Sequence, residues 1–136
     1  MRTLVGLSVA LVSLVLVGPS QAQDPIFNVT GLENSCASGS DACANIVGDI
    51  LAQLAALNLS PDDYSLQLAI LASTLVDVAK GADASQWAAI MAALTLVGDA
   101  ATDPGQRALI YVIADQVGNG EANDIDTSDP ANPSAA

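Results

Sequence analysis

Histidine is absent from this chain, and lysine and arginine together number three against fifteen acids. Without imidazole a nucleophilic triad has no usual general base, and the commonest zinc ligand sets cannot be assembled. A formal net charge of −12 repels phosphate backbones and anionic headgroups, which argues against nucleic-acid binding. Aromatics are scarce too: Phe27, Tyr64, Trp87 and Tyr111 are the full set, too few for a base-stacking or sugar-stacking surface. Asp62 and Asp63 are adjacent, but a helix start accounts for both. These absences assign no catalytic residue, no cofactor site and no metal site, and no enzyme activity is expected.

What the chain does carry begins with an address. Arg2 precedes the apolar run "LVGLSVALVSLVLV" (Leu4 to Val17), and Ser20 and Ala22 supply the small residues a signal peptidase reads. Residues 1–22 are expected to be a cleaved signal peptide, because the run is short of the roughly 20 residues a membrane span needs. No stable membrane anchor is expected. The protein is expected to be exported, to the periplasm or the extracellular space. Its leader holds no acid, so the remaining chain is more acidic still.

Export gives the two cysteines a meaning. Cys36 and Cys43 stand in "CASGSDAC", with no histidine or third cysteine to complete a zinc site. The spacing is not the C-x-x-C of redox catalysts, and an oxidising compartment favours pairing. A disulfide is expected, stapling an N-terminal arm to the first turn of the following helix.

Four segments carry helical periodicity. The first runs from about Asp41 to Leu57, capped by Ser40 or Asp41. The second starts at "SPDDY", with Ser60 as cap, Pro61 at the first helical position, two acids in the first turn, and Leu59 and Tyr64 as a hydrophobic staple. Gly81 is expected to stop it. The third and fourth, Asp83 to Asp99 and Asp103 to Asn119, look like one unit repeated at a spacing of 20. Asp83/Asp103, Gln86/Gln106, Ala88/Ala108, Ile90/Ile110, Val97/Val117 and Gly98/Gly118 match. In this reading each Asp caps, each Gln closes a capping box, and each Gly ends its helix in a left-handed turn. Shared capping rules could generate such matches, so no solenoid follows. Arg107 stands four residues after Asp103 and eight before Asp115, within reach of a surface ion pair.

The flanks are less patterned. "QDPIFNVTGLENS" is read as an arm whose apolar residues lie extended across the helices. The end, "NGEANDIDTSDPANPSAA", is acidic and proline-bearing, which predicts a disordered tail. Asp124, Asp126 and Ser128 alternate as in a calcium loop, but Asp129 and Ala135 stand where such a loop wants Gly and Glu, so the tail reads as solvated. "NVT" at Asn28 and "NLS" at Asn58 match the glycosylation triplet, which matters only in a eukaryotic secretory route. Trp87 opens an apolar stripe and is expected in the core.

The fold expected is all-α: a small four-helix bundle, up-down or partly orthogonal, over 40–118. An extended arm, 23–39, precedes it and a disordered tail, 119–136, follows. Leu66, Ile70, Val76, Leu96, Tyr111 and Val112 fall off the main apolar stripes and form a candidate apolar interface. Small residues Ala44, Gly48, Ala52 and Ala56 also line up at spacing four. The expected function is therefore an exported, non-enzymatic interaction or structural protein that self-associates through these faces, as a homo-oligomer or with a protein partner. The alternative is a carrier of a small apolar, lipid-like ligand held between helices.

Overall fold

The computed structural model describes residues 25–38 and 41–127. The expected signal peptide lies outside them, as do residues 128–136 of the tail. The described residues are all-helical, with five α-helices rather than four. They are α1 (Val29–Ala37), α2 (Ala42–Ala56), α3 (Pro61–Lys80), α4 (Ala84–Ala100) and α5 (Pro104–Gly118), followed by a 3-10 turn over Ala122–Asp124.

The arm is helical, not extended. Asn28 caps α1, its Oδ1 accepting from the Gly31 N–H at 2.9 Å. Phe27, just before the cap, and Leu32, four after it, are both in the core, the positions of a hydrophobic staple. Leu32 and Cys36 stand one turn apart on the buried face. Upstream of the cap, the Ile26 N–H donates to Gln67 Oε1 at 3.0 Å, tying the chain's entry to the middle of α3.

α3 begins as the sequence predicts, with Ser60 Oγ accepting from the Asp63 N–H at 3.2 Å and Pro61 in the first turn. Its centre is unusual. Every residue from Gln67 to Ser73 is buried, so these turns have no solvent face. The reason is tertiary: α1, α4, α5 and the C-terminal turn all pack against α3.

α4 touches all four other helices, and its contact with α5 is the most extensive in the fold. The connection between α2 and α3 is short, yet α2 packs chiefly on α1 and α4. Asn58, at φ 52°, turns that corner in the left-handed region. The chain is thus a helical cluster around α3 and α4, not a plain up-down bundle.

The first part of the expected disordered tail is also ordered. Gly120, at φ 82°, closes α5: its N–H reaches Val117 O at 3.0 Å and the Glu121 N–H reaches Gln116 O at 2.8 Å, the paired bonds of a Schellman cap. The chain then folds back as a strap that buries Ala122 and Ile125. Thr127 Oγ donates to Asp77 Oδ1 at 2.7 Å and accepts from Lys80 Nζ at 3.3 Å, pinning the strap to the end of α3.

Candidate functional site

The expected staple is present. Cys36 and Cys43 are bonded, with an S–S distance of 2.07 Å, and both are fully buried. The bridge joins the last turn of α1 to the first turn of α2. Buried and flanked by helix on both sides, it acts on structure.

The polar side chains of the repeat serve the same end. Gln86 Oε1 accepts from the Asp83 N–H at 3.0 Å, while its Nε2 donates to Ala37 O at the end of α1. Gln106, its counterpart, sends Nε2 to Ser65 O in α3 at 2.8 Å, while its own N–H bonds Asp103 Oδ2 at 2.7 Å. Each glutamine therefore ties a helix start to a neighbouring helix. Arg107 donates from Nη2 to Ala101 O at 2.7 Å in the connection before α5, where the spacing suggests an ion pair with Asp103.

Neither repeat glycine supplies a left-handed turn. Gly98 lies inside α4 and is buried, and Gly118 is the last residue of α5, with Gly120 supplying the left-handed turn. A Cβ on Gly98 would stand 2.6 Å from Tyr111 Cε1, and one on Gly118 would meet Met91 Sδ. Both glycines mark close approach between α4 and α5. Trp87, expected in the core, is half-buried, with its ring against Gly120 at the start of the strap.

The six candidate interface residues separate into three groups. Ile70 and Val76 are buried in α3, packed from several sides, and form no surface. Leu66 and Leu96 are half-buried against the core. Tyr111 and Val112 remain exposed on α5, at 39% and 49%. Ile26 and Leu57 are exposed as well, but they lie apart on the entry segment and the α2–α3 corner. Ala108 and Asp115 share the exposed face of α5 with Tyr111 and Val112. On α4, Ala92, Thr95 and Asp99 form an exposed stripe, and the Tyr111 hydroxyl donates to Asp99 Oδ1, setting the two stripes side by side.

That bond has an electrostatic consequence. The Asp99 carboxylate, as acceptor and as a nearby negative charge, raises the Tyr111 phenol above its ordinary value near 10, while Arg107 pulls the other way. Among the described residues, no group of three acids or cysteines could hold a metal ion. None of their helices is long and apolar enough to cross a membrane. The outer face of α5, where Tyr111 and Val112 are exposed, is the candidate site. No protein-family model matches the chain, and no curated protein or solved structure matches it either.

Proposed function

We propose that this protein is an exported, disulfide-stapled helical module that performs no catalysis and acts by contact, associating through the outer face of α5. The observation that carries the reading is the exposure of adjacent Tyr111 and Val112 on one helix of a strongly acidic chain. Elsewhere Ile70 and Val76 are absorbed by the core, so the apolar surplus in the sequence narrows to this face. Export is supported by the leader pattern together with the buried cystine, a bond that persists in oxidising compartments.

The test is the mass of the exported, oxidised protein in solution. Sedimentation equilibrium from about 1 to 100 μM should show reversible association, in the affinity range of a modest interface. A strict monomer throughout that range removes self-association from the proposal.

A further inference from the structure

The outer face of α5 has an order along its length that selects a partner. It starts with Arg107, continues through Ala108, Tyr111 and Val112, and ends with Asp115, all exposed. Arg107 and Asp115 each stand four residues from Tyr111, about 6 Å along the helix axis on either side of it. A cation, an uncharged centre and an anion at equal offsets make a face complementary to its own reverse.

We infer that the partner is a second copy of this chain, its α5 laid antiparallel on the first across a two-fold axis near Tyr111. In that arrangement Arg107 of each copy meets Asp115 of the other, and the Val112 side chains meet near the axis. An interface of this kind is isologous, so one favourable pair is made twice. Charge favours this site over others on the molecule. Two copies with this net charge repel wherever acids face acids, and this stretch of α5 sets an arginine beside residues that carry no charge of their own, with the neighbouring Asp99 carboxylate engaged by the Tyr111 hydroxyl. Arg107 can serve there while keeping its bond to Ala101 O, because one guanidinium nitrogen makes that bond and the other donors remain. The other described cation, Lys80, is held by Asp77 and Thr127 at the strap.

This inference rests on the self-association reading above and adds its geometry. The experiment measures the dimer dissociation constant of the exported protein and of three variants, with far-UV circular dichroism as the check on folding. Val112→Asp should weaken the dimer at least about 100-fold by burying two like charges near the axis. Asp115→Arg should weaken it about 10-fold by setting Arg107 against an arginine. The double variant Arg107→Asp/Asp115→Arg restores the pair with its ends exchanged and should return to within about 3-fold of the parent. A dimer indifferent to Val112→Asp and Asp115→Arg overturns the α5 geometry and leaves self-association standing. Failure of the double variant to recover overturns the antiparallel register. A parent protein that stays monomeric to about 100 μM overturns the inference and the self-association reading together.

Discussion

Gly98 packs its bare Cα against the ring of Tyr111, so closely that a Cβ there would lie 2.6 Å from Cε1. The relation has a counterpart. Adding the repeat spacing of 20 turns Gly98 into Gly118 and Met91 into Tyr111, and a Cβ on Gly118 would meet Met91 Sδ. Each helix of the α4–α5 pair offers a glycine to the residue seven places ahead of its partner's glycine. The internal repeat is thus an approximate two-fold helix hairpin, and its glycines stand in both units where the helices approach closely.

The sign of a Gly98→Ala substitution should depend on Tyr111. In the parent chain the new methyl collides with the ring, and the variant should lose about 1–3 kcal/mol of stability. With Tyr111→Ala already made, the collision is gone and the better helix propensity of alanine should stabilise by about 0.5–1 kcal/mol. Urea unfolding of the four proteins in this cycle checks it. A loss of equal size in both backgrounds would show that Tyr111 is not the obstacle. Gly118→Ala should be milder, since the thioether of Met91 can move aside.

Removing both cysteines by Cys36→Ala/Cys43→Ala should destabilise by about 2–4 kcal/mol, through the freed unfolded chain and lost packing. Hydrogen exchange should rise most in α1, which the bridge fastens to α2. Some protection should persist there, because Ile26 and Ala37 keep their bonds to Gln67 and Gln86.

Ionisation of Tyr111 should be delayed by Asp99. Because the folded state favours the neutral phenol, the contribution to stability is complete below the unfolded value near 10 and is lost as pH rises through the folded one. Ultraviolet titration of the parent against Tyr111→Phe isolates the signal. Asp99→Asn should move it down toward the ordinary value, and an unmoved titration would show that the carboxylate is not the cause.

The strap should report through the single tryptophan. Gly120→Ala places a methyl 2.6 Å from Trp87 Cζ3 at a left-handed φ, so it should lose about 1–3 kcal/mol and shift the emission of Trp87. Ile125→Ala, by emptying a buried site, should destabilise by about 2–4 kcal/mol. If both variants unfold like the parent, the strap contributes nothing to the fold.

Much of the local structure was legible in advance. Ser60-Pro61 and Asp103 open helices where they were expected to, and Cys36 and Cys43 pair. Two local signals were present but unread. Asn28 with Phe27 and Leu32 spells a capped, stapled helix start, and Asn119-Gly120 spells a left-handed cap two residues later than Gly118. The α5 face is legible in part: Tyr111 and Val112 fall off the main apolar stripe, whereas the spacing pairs Arg107 with Asp103 of its own chain and gives Asp115 no partner role.

The all-helical class, the starts of α2 to α5 and the cystine follow from local sequence, because caps, staples and short disulfide loops act within a turn or two of chain. Which apolar residues are surplus depends on the packing of distant segments. Ile70 and Val76 sit off the main stripe of α3, and they are buried because α1, α4, α5 and the strap surround that helix. Tyr111 and Val112 are equally off-stripe and stay exposed because α5 lies at the edge of the cluster. Periodicity tells how many faces of a helix are apolar, whereas the neighbours that cover them come from segments tens of residues away.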